Sequence, residues 1–528
     1  MKSFKRNIMN RSYILSSLFA LCMLFSMSCE DLEEDPVGLL SPEGFFKTPD
    51  DVLIGVYGAY SSIEHEAFWG RKLSLSLMLR GDMVSIGDQT TAARRIEVDQ
   101  MNMSSNNGMV SAFWPKGYQA LAAINYALEG AEGMDAPEEQ LNPAVAEGRF
   151  LRAFIHFYFV RLFGEIPYID AAFSDPALAY TLEQNPVDKS YEGIIADLEF
   201  AKQWLADVPS ARWRPGKGTA AGFLASVYLT LGDYQKAYEE AKYVIDNAGT
   251  FQYALEGEFA DLFDPAIPES SREVLFEVDF SGNDAATSIG GGNPSTDYLA
   301  SVTGPRKDER FGFGEGWSVA VPTLAAYNTW DSRDYRKSVS FDTLMTYLGE
   351  DTPYTAWGDI PLNVSRPHIA KYYRALGQSG AASGLNGRDS EIDFPVMRYA
   401  EILLTAAEAL NEINGGPNAE AESYVNEVRS RARRELDGDP VNDRTFPANV
   451  TAGMSQANFR NLVLDDRRLE LAFEGVRWFD IKRRELGVEA FGASGLEQQA
   501  FDPSRDYLFP KYQNDVDRNE NLDQNDHY

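Results

Sequence analysis

Hydrophobic positions along this chain recur mostly at a helical period. From Asp50, "DDVLIGVYGAYSSI" places Val52, Val56, Ala59, Tyr60 and Ile63 on one face, the spacing of an amphipathic helix. "FWPKGYQALAAINYALEGA" repeats the pattern with Phe113, Tyr118, Leu121, Ile124, Asn125 and Leu128. "NPAVAEGRFLRAFIHFYFVRLFGEIP" is apolar nearly all round, which predicts a buried helix stopped by Gly164 and Pro167. Between about Gly282 and Gly387 the texture changes to Gly/Ser-rich loops and short strand-like pieces, with "EVLFEVDF" just before them reading as a strand.

Two alanine-rich stretches predict helix pairs. In "GKGTAAGFLASVYLTLGDYQKAYEEAKYVIDNAG" (216–249), Ala220, Ala221, Gly222 and Ala225 allow close approach. The turn falls at Gly232-Asp233, and Ala237 and Ala241 line the second helix. This resembles a tetratricopeptide unit, whose period is about 34 residues. "FPVMRYAEILLTAAEALNEINGGPNAEAESYVNEVRSRARR" forms a second pair turning at Gly415-Gly416-Pro417. The pairs lie far apart in sequence, so no uninterrupted solenoid is predicted. The expected fold is mostly α, with tetratricopeptide-like helix pairs as a scaffold, a loop-rich region and minor β elements.

Composition narrows the function. The 528 residues carry 80 Asp and Glu against 48 Lys and Arg, a net charge of −32. That balance argues against nucleic acid, whose phosphates need facing cations. Aromatics make up 12%, and flat rings suit carbohydrate or peptide faces. A basic start (Lys2, Lys5, Arg6, Arg11) precedes a short apolar run ending at Ser28-Cys29, a secretory signal rather than a membrane span. Cys29 is the expected lipidation site, with residues 1–28 as signal peptide. Two acyl chains there would give durable attachment. The other cysteine, Cys22, lies inside the signal, so the mature chain has no thiol for a disulfide or a metal. The acidic "EDLEEDP" that follows reads as a solvated tether or, alternatively, as an address label for the outer leaflet.

Catalytic and metal motifs are wanting. None of the four histidines, His65, His156, His368 and His527, pairs at a zinc-binding spacing. His156 sits within an aromatic helix and is expected in the core. "RPGKGT" (214–219) lacks the residues of a phosphate-binding loop and marks a helix start. No enzyme, metal or cofactor is expected, although carboxylate pairs are too numerous for the sequence alone to dismiss a lipid-anchored hydrolase.

Several segments in order resemble the SusD/RagB family of outer-membrane lipoproteins: "EGRFLRAFIHFYFVRLFGEIPYI", "GKGTAAGFLASVYLTLGDYQKA", "DFPVMRYAEILLTAAEALNEI" and "DDRRLELAFEGVRWFDIKRR". The terminal "NLDQNDHY" also matches, except that His527 stands where the family often has glycine. The resemblance implies a helical region over 29–260 and a C-terminal region over 261–528 that contains the loop-rich part 282–387. It further implies a surface lipoprotein that binds a glycan, or in some branches a peptide, and serves a SusC-like TonB-dependent barrel. A pure tetratricopeptide interaction scaffold is the competing reading; long aromatic-bearing loops favour ligand binding.

Ligand contacts are expected in those loops and beside a polar stretch near residue 80. The candidates are Trp317 in "GFGEGW", Trp357 and Tyr354 in "TPYTAWGD", Tyr298 in "STDYLA", and Arg80, Asp82, Arg94 and Arg95. Trp114 and Trp478 are expected in the core. "LVLDDRRLELAFEGVRWFDIKRR" (462–484) is read as frame: Glu474 can reach Arg477, and Asp480 can reach Arg483 and Arg484, at helical spacing. Arg467, Arg468 and Glu474 are expected to tie it to neighbouring helices.

Overall fold

A series of helices stacked in pairs carries the molecule. The computed structural model of the chain describes residues 45–173, 175–264, 271–280, 297–310, 316–373, 392–433 and 445–528. The signal segment 1–28, Cys29, its acidic tether and much of the loop region fall outside the described residues. Helix α1 (Pro49–Glu64) starts where Thr48 and Asp51 form a capping box with Pro49 at the first turn. Its buried residues include Val52, Val56, Ala59, Tyr60 and Ile63, the face that the sequence pattern marks. The other long helices are α4 (Val110–Ala131), α5 (Glu138–Phe163), α6 (Val187–Trp204), α7 (Lys217–Leu231) and α8 (Tyr234–Asp246). Between α1 and α4 lie the shorter α2 (Lys72–Leu79) and α3 (Ala93–Asp99). The C-terminal half adds α9 (Tyr399–Asn414), α10 (Ala419–Ala432), α11 (Gln456–Glu470) and α12 (Arg477–Arg483).

Turns follow local chemistry. Gly232 closes α7 at φ 75° and Gly415 closes α9 at φ 67°, left-handed conformations that glycine adopts without a Cβ penalty. Helix α5 stops at Gly164, and His156 within it is fully buried. The Ile169 N–H donates to His156 Nε2 at 3.1 Å, so Nδ1 carries the proton toward the Arg152 carbonyl at 2.9 Å. Burial drives this imidazole down to about 3, which keeps it neutral.

Packing corrects the spacing of the pairs. Helices α5, α6, α7 and α8 pack in succession, and α8 then packs on α9, which packs on α10 and α11. The two alanine-rich pairs, separated by some 150 residues of sequence, are neighbours in space. Ala237 and Ala241 on α8 and Ala406 and Ala407 on α9 are all fully buried. Small side chains permit this approach, and sequence distance conceals it. Phe46–Tyr528 form one compact unit, so the boundary between 260 and 261 separates stretches of sequence packed within it.

Strands are short and pair two by two. They are β1 (Val84–Ile86), β2 (Val274–Val278), β3 (Ala320–Pro322), β4 (Phe341–Asp342), β5 (Leu344–Tyr347), β6 (Glu350–Pro353), β7 (His368–Ile369) and β8 (Phe394–Arg398). All pairings are antiparallel: β1–β3, β2–β8, β4–β7 and β5–β6. The β2–β8 pair sets Val278 opposite Phe394 and fastens both ends of the loop-rich insertion to the frame.

The signature segment 462–484 is indeed frame. Helix α9 carries Glu401, Glu408 and Glu412, and α11–α12 carry their cations. Arg467 donates to Asp480 at 2.9 Å and to Glu401 at 3.1 Å. Arg483 and Arg484 both grip Glu408, and Arg460 and Arg484 grip Glu412. The family-like runs "AEALNE" and "DDRRLE…FDIKRR" therefore occur together because each neutralises the other. Some expected partners differ: Glu474 binds Lys371 and Arg398 rather than Arg477, and Arg484 binds Glu408 rather than Asp480. Arg468 pairs with Asp465 on its own helix, not with a neighbour.

Candidate ligand-binding surface

Strand pair β1–β3 draws two distant parts of the chain together. Before β1 lie Arg71 and α2; after it, α3 begins with Arg94 and Arg95. Before β3 lies Trp317, whose neighbours Ser318 and Val319 accept hydrogen bonds from the Asp88 N–H at 2.7 Å and the Gly87 N–H at 2.9 Å. On the other side, the N–H groups of Ser318 and Val319 donate to Gly304 and Val302 at 2.9 and 3.0 Å, along the short helix Leu299–Thr303. Tyr298 precedes that helix and donates its N–H to the Gly70 carbonyl at 2.9 Å.

Two rings consequently stand side by side. Tyr298 and Trp317 are half-buried, with centroids 5.8 Å apart and planes at 57°. The Arg71 guanidinium lies 4.2 Å from the Tyr298 centroid, and that of Arg95 lies 5.9 Å from the Trp317 centroid. Arg95 also donates to Thr91 Oγ1 at 2.8 Å, and Asn107 holds the Arg94 carbonyl at 2.9 Å. Glu66 pairs with Arg71 and, at 3.2 Å, with Lys72. Burial first, then the neighbouring charges of Arg71, Arg94 and Arg95, push the Lys72 ammonium down to about 7. A surface of two rings edged by forked donors can stack on a flat apolar face and hydrogen-bond polar substituents around it.

The structure brings Tyr298, Trp317, Arg94 and Arg95 of the expected residues together and places the others elsewhere. Trp357 does not present a ring: it is fully buried with Met345 and Ile360, and its Nε1–H donates to the Thr352 carbonyl at 2.8 Å. The β5–β6 hairpin closes over it, although its small neighbours in sequence suggest exposure. Tyr354 packs edge-on against Tyr327 at 5.6 Å beside that cluster. Arg80 is fully buried between the rings of Trp478 and Phe509, each 5.3 Å away, and donates to the Asp506 carbonyl at 2.6 Å. Asp82 is buried in a two-point pair with Arg477 at 2.6 and 2.8 Å. Both residues of this turn point inward because α2 ends against the C-terminal segment. Sequence reasoning passed over Arg71, Lys72 and Glu66; the only signal for them was charge on both sides of Phe68-Trp69.

Asp99, the last residue of α3, and Glu497 are a pair of buried carboxyls. Burial first, and in Glu497 the charge of Asp99 next, raise Asp99 to about 7 and Glu497 to about 10. Raised carboxyls bind protons more tightly in the folded chain than in the unfolded one. Their stabilising contribution is complete below the ordinary carboxyl range and is lost as pH climbs through about 7 toward 10. Glu497→Gln is therefore expected to melt higher than the parent at pH 9, by roughly 1 kcal/mol or more, with the difference shrinking at pH 5. Melting curves at the two pH values check this; parallel curves would contradict the raised carboxyls.

Known proteins match over most of the chain. The profile described as "SusD family" matches residues 322–528, and that described as "Starch-binding associating with outer membrane" matches residues 56–229. SusD-like protein P2 of Formosa agariphila is 48% identical over 507 residues, 96% of this chain and 97% of that protein. Among solved structures, a laminarin-binding SusD-like protein superposes with a TM-score of 0.75 at 21% identity, covering 92% of this chain and all of the other. Surface glycan-binding protein A of Bacteroides thetaiotaomicron, in complex with laminarihexaose, gives 0.73 at 18%, covering 90% of this chain and 99% of the other. Sequence relatedness at that depth and a shared helical architecture assign the chain: it belongs to the SusD family.

Proposed function

We propose that this protein binds a glycan on the Tyr298–Trp317 surface, at the outer membrane, and passes it to a TonB-dependent barrel. The observation that carries the reading is the pair of half-buried rings held side by side and edged by Arg71 and Arg95. Sugars offer apolar ring faces with hydroxyls at their edges, which this arrangement complements. The names of relatives that bind laminarin, laminarihexaose or starch support it. Diacyl lipid on Cys29 supplies the attachment, and the outward-facing position follows from the task of capturing polymer too large to enter the cell.

The test is binding of the full-length protein to a panel of polysaccharides, followed by Trp317→Ala against whichever one binds. Removing one stacking ring is expected to cost roughly 1–3 kcal/mol of affinity, by analogy with aromatic stacking on bases, with the melting temperature nearly unchanged. Wild-type affinity in the variant would place the site elsewhere. Co-purification of a barrel protein from outer membranes tests the partner.

A further inference from the structure

The site just proposed holds more positive charge than stacking on a neutral sugar needs. Arg71 and Arg95 lie over the two rings, and Lys72 and Arg94 join them, close enough that Arg71, Arg94 and Arg95 depress Lys72. This happens in a chain whose net charge is −32, so the concentration of cations is local and against the average. Among the described residues the facing carboxylates are few. Glu66 pairs with Arg71 and Lys72. Asp88 faces Arg95 but is itself paired with Arg306 at 2.8 Å. Among the described residues, Arg94 and Arg95 make no ion pair with any carboxylate.

Both also keep a buried Nε–H without a hydrogen-bond partner, and Arg95 is only 7% exposed. Buried guanidinium donors left unsatisfied are costly, and an uncompensated buried charge more so. An incoming anion would meet the guanidinium ends, not these enclosed Nε–H groups, and would supply the missing countercharge; a forked guanidinium matches the geometry of a carboxylate or sulfate. A neutral glucan offers hydroxyls but no countercharge.

Resting on the glycan reading above, we propose that the ligand is an anionic glycan, one bearing carboxylate or sulfate groups. Its ring stacks on Tyr298 and Trp317 while its anionic group docks against Arg94 and Arg95, with Arg71 and Lys72 completing the positive rim.

The experiment measures affinity of the full-length protein for a neutral glucan such as laminarin, a uronate polymer such as polygalacturonate, a sulfated galactan and polyglutamate. The expected result is binding to the uronate or the sulfated polymer at least roughly tenfold tighter than to laminarin; which of the two wins identifies the anion. Raising NaCl from about 50 to about 500 mM should weaken that binding, because screening shortens the reach of the cations. Arg94→Gln, at a half-buried position, and Arg95→Gln should each weaken it roughly tenfold; Arg94→Gln and the salt series keep the test decisive should Arg95→Gln not fold. Tight laminarin binding, lost in Trp317→Ala but indifferent to salt and to Arg94→Gln, overturns the anionic assignment and leaves glycan binding standing. Polyanion binding indifferent to Trp317→Ala marks non-specific attraction and also overturns it. Binding of polyglutamate alone, or of no polysaccharide in the panel, defeats the glycan reading itself.

Discussion

Glu470→Ala is expected to destabilise the protein by about 3–5 kcal/mol, the cost of breaking a buried charge network from one side. Glu470 ends α11, is fully buried, and accepts from Arg398 at 3.0 Å and Arg336 at 3.3 Å, with Arg431 closer still. The same arginines reach on: Arg398 to Glu273 at 2.5 Å and Glu474 at 2.7 Å, Arg431 to Glu273 at 2.8 Å. Lys371 joins through Glu474 at 2.6 Å. The network thus links β2, β8, α10, α11 and the turn before α12. Alanine at 470 would take a shared countercharge from three arginines in a dry interior, leaving Arg398 and Arg431 to Glu273 and Glu474 and Arg336 to Asp334, whereas Glu470→Gln keeps the shape and part of the bonding and should cost less. Denaturant midpoints of the two variants decide it; an alanine variant as stable as the parent would sink the claim.

Acid should act on the same network. Burial alone would raise Glu470, but Arg431, Arg398 and Arg336 outweigh it and hold the carboxyl at about 2; Arg483 and Arg484 hold Glu408 at about 2 in the same way. For depressed carboxyls the stabilisation is fully present above the ordinary carboxyl pKa and is lost as pH falls toward 2. This is the opposite sign to the Asp99–Glu497 pair.

Gly87→Ala is expected to cost stability and binding together. A Cβ there would lie 2.3 Å from the Ser318 carbonyl oxygen and 2.6 Å from Val321 Cγ2. The first of these atoms belongs to backbone that cannot turn aside. The segment after Trp317 would be pushed away from β1, breaking the Gly87 and Asp88 hydrogen bonds to Val319 and Ser318. Overpacking of this kind costs roughly 1–3 kcal/mol, and displacing Trp317 should lower glycan affinity roughly tenfold. Melting and binding measured on one preparation test both effects; an unaltered affinity would detach Gly87 from the site.

Much of the frame was legible because helices bury periodic faces. The stripe of α1, the Gly232 and Gly415 turns, the start of α7 and strand β2 all follow from local sequence. The core places of Trp114 and Trp478 follow as well. The contact of α8 with α9 was hidden, since nothing local reports on a partner 150 residues away. Aromatics in loops were ambiguous for a similar reason. Trp317 and Trp357 both sit among small residues, and only the strand pairs around each decide that one reaches the surface and the other a satellite core. Arginine was harder still: no local pattern tells that Arg80 is locked in the interior while Arg94 edges the candidate site.

The antiparallel pair β2–β8 brings the two ends of the loop-rich insertion together, and the Phe280 N–H reaches Asp393 Oδ1 at 2.8 Å. Loop length between such anchored ends is thermodynamically inexpensive, since closure entropy grows only slowly with it. An insertion exchanged at this joint must still supply Arg336 and Lys371 to the buried network around Glu470, and β3 to pair with β1, if the helical frame is to stay as it is. Tyr298 and Trp317 travel with the insertion, whereas Arg71, Lys72, Arg94 and Arg95 remain with the frame. A chimera made at this joint would inherit its sugar-stacking rings from one parent and its cationic rim from the other, so shape preference and charge preference become separately transplantable traits.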